Sequence, residues 1–232
     1  DAGLGDLDTA SASFTNQSTG AIWASAEAEA NGTDMTYAGA QAVGVSIGDQ
    51  FDLDALEIDA VNKGLIAASA LATANGNGFD EAAAATAMGV TLSGDSLTGQ
   101  FKNSTSGIIA ASAAAFGAES TARAVGIEAV SDQNGMLILN DGLVSAYAEG
   151  QQAMATGIRI AATHATMTTF GPPPAADLMA VATIENHGDI WAGISTDGGD
   201  TILRGNAINT QDAPNAVTIL LEKHDPANIF GN

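Results

Sequence analysis

Hydrophobic and polar residues alternate strictly along a stretch that begins at Ser18 and reads STGAIWASAEAEANG. Within it, Ile22 and a series of alanines alternate with Trp23, a serine and two glutamates. Successive side chains of a β-strand point to opposite faces, so this pattern predicts a strand with one face buried and one in water. The buried residues would be mostly alanine, however, which favours helices and fills an ordinary sheet core poorly. The alternation and the side-chain size therefore point to different structures.

The same stretch recurs along the chain, and the recurrence resolves this conflict. Related segments begin at glycines that lie 35 to 46 residues apart, namely Gly20, Gly64, Gly107, Gly142 and Gly188. Repeats that keep the same residue pattern while their lengths vary are typical of a solenoid, in which loops absorb the insertions. The interior between stacked coils is narrow, so small side chains suit it. The sequence predicts an alanine ladder (Ala24, Ala68, Ala111, Ala146, Ala192) beside an aliphatic ladder (Ile22, Ile66, Ile109, Val144, Ile190).

Two further segments recur in each repeat. One reads like AQAVGVSI, and its alternate apolar positions, which start at Val43, Met88, Val125 and Thr156, are predicted to face inward. The intervening polar positions are predicted to face water: Ser46, Thr91, Glu128 and Arg159. The other segment precedes the marker glycine and ends in Asn16, Asn62, Asn103, Asn140 or Asn186. Asparagine followed closely by glycine favours a turn, and stacked asparagines predict an internal side-chain ladder.

We therefore predict an all-β chain that forms one β-solenoid domain over residues 1–232. About five irregular coils with inserted loops cover residues 14–208, and residues 209–232 form a cap or a docking strand. A short helix in DEAAAATAMG, around Glu81, stays open as the alternative because alanine favours helices. The prolines of GPPP, at residues 171–174, predict a loop or hinge.

Composition and charge exclude several classes of function. The chain has 48 alanines and 27 glycines, so any core is built from small side chains. Its formal charge of -21 repels nucleic acid phosphates and anionic membrane surfaces. It has no cysteine, which excludes disulfides and thiolate metal sites. No apolar run of about 18 residues occurs, so we expect no membrane insertion by this segment.

The pattern N-x-G-x-I-x-A-x-A followed by A-x-G-I-x-I resembles the passenger regions of bacterial autotransporters and related repetitive surface proteins. The resemblance covers most of residues 14–208. It implies a β-solenoid that is extracellular or on the surface of a bacterium, and it implies no particular activity. The chain departs from autotransporters because it lacks an outer-membrane β-barrel pattern, which leaves its export and anchoring open.

Candidate chemistry is sparse in the sequence. Asp49, Asp52 and Asp54 offer carboxylates to a cation such as calcium, but the stretch lacks EF-hand spacing, so we expect a solvated loop and no cofactor. A polysaccharide-degrading enzyme is a rival that needs clustered carboxylates and a basic residue on one face. We expect no such cluster and no enzyme, because the basic residues are spread along the chain: Lys63, Lys102, Arg123, Arg159, Arg204 and Lys223.

Two further features complete the set of candidates. The histidines have no metal-ligand spacing and are expected in loops or on the surface: His164, His187 and His224. An ice-binding or mineral-binding solenoid is a second rival, which would show flat ranks of threonine; TMTT at residues 166–169 is the one hint.

Exposed aromatics and an apolar C-terminal run suggest contacts with partners. Trp23 and Trp191 share one repeat position, Tyr147 lies one step along, and all three are expected to point outward. Such rings stack on sugars or anchor a neighbouring subunit, unless their own loops cover them. The run AVTILLEK, with assembly residues Val217, Ile219, Leu220 and Leu221, is expected either to cap the solenoid or to dock on another copy. The sequence thus favours a secreted, non-enzymatic structural or adhesive protein, such as a self-assembling filament or matrix subunit.

Overall fold

The computed structural model describes residues 9–32, 36–48, 55–76, 81–131, 133–161, 182–195, 202–212, 217–221 and 229–231. These residues form β-strands joined by turns, and there is no helix among them. The stretch Glu81–Ser93 is a strand, so the helix alternative around Glu81 is wrong. Consistently, no helix able to cross a membrane occurs in this part of the chain.

The strands form three parallel sheets. Sheet A contains β1 (Thr9–Asn16), β4 (Ala55–Asn62), β7 (Ser96–Asn103), β11 (Leu137–Asn140), β14 (Ala182–Asn186) and β17 (Val217–Leu221), with β10 (Gln133–Asn134) also beside β7. Sheet B contains β2 (Ala21–Asn31), β5 (Leu65–Asn75), β8 (Ile108–Phe116), β12 (Leu143–Glu149), β15 (Asp189–Ser195) and β18 (Ile229–Gly231). Sheet C contains β3 (Thr36–Gly48), β6 (Glu81–Ser93), β9 (Glu119–Val130), β13 (Gln152–Ala161) and β16 (Ile202–Asp212).

The chain visits the three sheets in turn, and each round is one coil of a β-solenoid. Coil 1 is β1, β2 and β3, and coil 5 is β14, β15 and β16. Strands β17 and β18 then extend sheets A and B by a partial sixth coil. The predicted all-β solenoid of about five coils is therefore confirmed.

The two predicted interior ladders are confirmed in register and in burial. Ile66 pairs with Ile22 on one side and with Ile109 on the other. Two residues further along, Ala68 pairs with Ala24 and with Ala111 in the same way. Val144 and Ile190 continue the aliphatic ladder into coils 4 and 5. Ile66, Ile109, Val144 and Ile190 are completely buried.

The core has a narrow part and a wide part. In the narrow part, the buried side chains of sheets B and C that face each other are alanines, which explains why these stretches of strand are so poor in large residues. Sheet A closes the wider part, where residues such as Ile58, Leu97 and Phe101 meet the aliphatic ladder of sheet B. Interiors pack at crystal-like density, so the narrow part has no room for a larger side chain.

One predicted inward column lies on the outer side of sheet C, where most of it is buried outside the interior clusters. Ala42 and Val45 both pack into the core, although strict alternation would place residues three apart on opposite faces. The face therefore switches at Gly44, and the column of Val43 and Met88 belongs to the outside. The sulfur of Met88 accordingly lies 3.8 Å from Nη1 of the outward residue Arg123. Met88, Val125 and Thr156 are nonetheless buried, at 8%, 1% and 8% exposure, although Met88 and Val125 belong to neither interior cluster. The prediction that this column faces the interior is therefore wrong, whereas the predicted inward positions Val90, Ile127 and Ile158 are completely buried.

Glycine is required at this switch. A Cβ on Gly89 would lie 2.6 Å from the carbonyl oxygen of Gly126 and 2.6 Å from Cγ2 of Ile109. The same contacts recur one coil later, where a Cβ on Gly126 would meet the Gly157 carbonyl and Val144 at 2.5 Å. The aliphatic ladder of sheet B thus packs directly against the bent backbone of sheet C.

Candidate functional site

A buried ladder of asparagines runs through the coils at the end of the sheet A strands. The amide Nδ2 of each residue donates to Oδ1 of the next at 2.9, 2.9, 2.8 and 2.7 Å, from Asn16 through Asn62, Asn103 and Asn140 to Asn186. Each Nδ2 up to Asn140 also donates to a backbone carbonyl of the following coil, at 3.1 to 3.4 Å. The predicted ladder is therefore present, and its buried amide groups are paired. It ends at β17, where Leu221 is in register with Asn186.

The marker glycines allow close stacking of the turns that follow the ladder. A Cβ on Gly64 would lie 2.2 Å from the Gly20 carbonyl oxygen, and one on Gly142 would lie 2.2 Å from that of Gly107. These carbonyls accept the backbone N–H that opens the next strand of sheet B, for example Leu65 N–H to Gly20 at 3.0 Å. Among the described glycines the positive φ, 92°, belongs to Gly99 instead. The markers are glycines because neighbouring backbones meet there.

Two arginines gather around one carboxylate on the outer surface of sheet C. Arg123 Nη2 lies 2.5 Å from Glu128 Oε1, and Arg159 Nη1 bonds the same oxygen. Glu128 is 5% exposed, although its position was predicted to face water. The prediction that the basic residues form no cluster is wrong for this pair. Aligned repeats already place Glu128 opposite Arg159, whereas the reach of Arg123 depends on the bend at the glycine switch.

A second charged group lies at the turns between sheets A and B. His187 Nδ1 lies 2.8 Å from Asp141 Oδ1, and Lys102 Nζ lies 3.1 Å from the other oxygen of that carboxylate. Burial acts to raise the pKa of Asp141, but hydrogen bonds and positive charge from His187 and Lys102 outweigh it and hold the pKa below its usual value. Glu185 Oε1 lies 3.2 Å from the other ring nitrogen of the histidine. The group of Lys102, Asp141 and His187 thus joins coils 3, 4 and 5, with Asp141 at its centre.

The predicted aromatic residues all lie on the outer surface of sheet B. Trp23 is 68% exposed and Trp191 is 38% exposed, while Tyr147 is half-buried. The two tryptophans hold the same register position, four coils apart. The rings of Tyr147 and Trp191 lie 6.3 Å apart between centroids, with planes at 4°.

The ends of the solenoid present strand edges. Within the described residues, β1, β2 and β3 pair only with the strands of coil 2, β17 and β18 pair only with coil 5, and β16 pairs only with β13 of coil 4. The residues predicted to cap or dock form β17, in which Val217 and Ile219 are in register with the core positions Ala182 and Ile184. Leu220 is in register with Glu185. The C-terminal run therefore stacks on coil 5 as a continuation of sheet A.

Several predicted features lie outside the described residues: Asp49, Asp52, Asp54, residues 166–169, residues 171–174, His164, His224 and Lys223. In the described part of the chain, no three or more His, Asp or Glu side chains are grouped as metal ligands. An open depression of about 420 Å³ lies against sheet A, lined by Ala10, Ser11, Ala55, Glu57 and Thr98. This lining offers hydroxyls and one carboxylate without a basic side chain.

Comparisons with protein-family models, with curated proteins and with solved structures found no match to this chain.

Proposed function

We propose that this chain is a secreted, non-enzymatic structural element of a bacterial surface, and that its copies associate end to end into a filament or matrix. The observation that carries the proposal is that, among the described residues, the first and last strands of each sheet have a neighbour on one side only. All three sheets present an edge strand at coil 1, and all three present one at the other end of the described coils. An unpaired strand edge is a template for another strand.

The two ends are complementary because every coil repeats the same parallel register. A strand of one copy can therefore continue onto the equivalent strand of the next copy, as coil 2 continues from coil 1. The asparagine ladder itself would not continue across the contact, because Leu221 holds the ladder position in β17 and offers no side-chain amide to the Oδ1 of Asn16 in the next copy. Such a contact joins unlike surfaces, so it propagates as a fibre unless it closes into a ring.

Light scattering over a range of concentrations, together with negative-stain imaging, tests this proposal. We expect the mass to grow with concentration and fibres to be visible. A compact folded domain fused before Asp1 should block the coil 1 edges and stop the growth. The matched control carries the same domain inserted between β13 and β14, away from both ends, and should still assemble. A protein that stays monomeric, or that assembles equally well with either fusion, contradicts the proposal.

A deletion then assigns the role of the C-terminal run. Removal of residues 215–232 deletes β17 and β18 and exposes the edges of coil 5. Loss of the fibres with a folded monomer remaining assigns docking to β17. An unfolded protein, or one that assembles unchanged, identifies the segment as an ordinary cap.

A further inference from the structure

The outer surface of sheet B carries both tryptophans of the chain. Trp23 lies on coil 1 and Trp191 on coil 5, and the positions between them in the same column are Ala67, Ala110 and Ser145. Neighbouring strands are about 4.8 Å apart, so the two rings mark a path of about 19 Å along the stack of coils. No charged side chain occupies this column.

The ring of Trp191 leans along its own strand over Gly193. A Cβ on Gly193, two residues further along the strand, would lie 2.3 Å from two atoms of this ring, so the ring occupies the space above the glycine. Tyr147 is in register with Gly193, which places its ring beside that of Trp191 in a nearly parallel orientation. The two rings therefore form one stacked aromatic pair, which is the aromatic platform of coils 4 and 5.

Hydroxyl groups line the surface between the platform and Trp23. Ser25, Ser69 and Ser112 are in register on coils 1, 2 and 3, in the column that continues to Tyr147. Side-chain hydroxyls both donate and accept hydrogen bonds. The face thus combines aromatic rings at its two ends with a rank of small hydrogen-bonding groups between them.

We propose that this face, comprising Trp23, Ser69, Ser112, Tyr147 and Trp191, binds an extended uncharged polysaccharide laid along the stack of coils. The C–H faces of sugar rings pack on the aromatic rings, and the sugar hydroxyls bond to the serines. An amphipathic ring with an apolar body and a polar edge suits such a ligand. The inference is independent of end-to-end assembly, since it uses a face and not an end.

The charge of the surrounding surface selects an uncharged partner. Glu27 and Glu29 on β2 and Glu149 on β12 flank the two columns, and the whole chain carries -21. An anionic polymer would meet these carboxylates, and so would the same face of a second copy. A neutral polysaccharide meets no such repulsion.

Tryptophan fluorescence provides a direct assay of this face, because the two tryptophans of the sequence, Trp23 and Trp191, both lie on it. Soluble fragments of β-1,4-glucan and of chitin, in increasing lengths, are titrated against the whole chain, and tryptophan emission and its quenching by acrylamide are followed. We expect at least one of the two neutral series to shift the emission and protect the rings, with affinity rising until the fragment spans both ends of the face. Polygalacturonate, which is anionic, is expected to leave both signals unchanged.

Matched variants make the test specific to this face. Trp191→Ala and Tyr147→Ala are each expected to weaken binding about tenfold in calorimetric titrations, and Trp191→Phe should restore part of the affinity. Tyr37→Ala is the control, because Tyr37 is 68% exposed, as Trp23 is, but lies on sheet C. The proposal is overturned if neither neutral series binds, if polygalacturonate binds as well, or if Tyr37→Ala weakens binding equally. It is also overturned if Trp191→Ala lowers the mass measured by light scattering, since the face would then be a contact between copies.

Discussion

Replacing Ala111 with leucine tests whether the narrow part of the core is as tight as the alanine ladder implies. Ala111 is 3% exposed and lies in register between Ala68 and Ala146. These neighbours are about 4.8 Å away on either side, and the alanines of sheet C face them across the interior. Leucine adds three carbon atoms to a site that is filled on every side. Overpacking of this kind costs about 1–3 kcal/mol, and we expect the upper part of that range because the constraint repeats in each coil.

The measurement is the free energy of unfolding from urea titration followed by circular dichroism. Ser112→Leu is the matched control, since Ser112 is the next residue of the same strand and is exposed. A surface substitution of this type changes stability by about 0.5 kcal/mol or less. Equal destabilisation by the two variants, or tolerance of leucine at Ala111, would refute the assigned faces of β8.

Three further predictions address the ladder, the glycine switch and the charged turn. Asn103→Ala leaves the Nδ2 donor of one ladder neighbour and the Oδ1 acceptor of the other unpaired, and each unpaired buried group costs about 1–3 kcal/mol. It should therefore lower the melting temperature far more than Asn75→Ala, which removes a hydrogen bond between exposed amides. Gly126→Ala should destabilise by about 1–3 kcal/mol in urea titration, because its Cβ would lie 2.5 Å from a backbone carbonyl, whereas Gly117→Ala, with nothing nearer than 3.4 Å, should be tolerated. Because the folded-state pKa of Asp141 lies below its usual 3.8, its carboxylate stabilises the fold above that pH and loses this contribution as the pH falls through the folded pKa. Urea titrations between neutral and acid pH should therefore show a shallower acid decline for Asp141→Asn, and an unchanged decline would contradict the assigned contacts.

The sequence predicts the repetitive part of the structure well, because each ladder consists of the same repeat position in successive coils. Ile22 and Asn16 each have an equivalent residue in every later repeat, and parallel stacking in register brings these equivalent residues together. The agreement of several repeats outweighs the helix preference of alanine at Glu81–Ser93, which forms a strand.

Features that depend on backbone geometry within one coil could not be predicted in the same way. Alternation over Val43 and Val45 is consistent with one face throughout, and the structure reveals the switch because Ala42 and Val45 both pack into the core on either side of Gly44. The reach of Arg123 to Glu128 follows from that switch. Likewise, the sequence places Trp191 on the outer surface, but its ring can lean over residue 193 and stack on Tyr147 only because that residue is glycine.

Disulfide formation between engineered cysteines tests the in-register stacking of coils most directly, because the chain has no cysteine of its own. Ser69 and Ser112 are partners in neighbouring coils, so their Cα atoms are about 4.8 Å apart and within the range that a disulfide spans. Thr73 and Ser112 are the control, because an offset of four residues on neighbouring strands places their Cα atoms about 14 Å apart. Mild oxidation, followed by mass spectrometry of the digested protein, should show the bridge in Ser69→Cys/Ser112→Cys and none in Thr73→Cys/Ser112→Cys. A bridge in the control pair alone, or equal bridging in both pairs, would contradict the solenoid register on which the account rests.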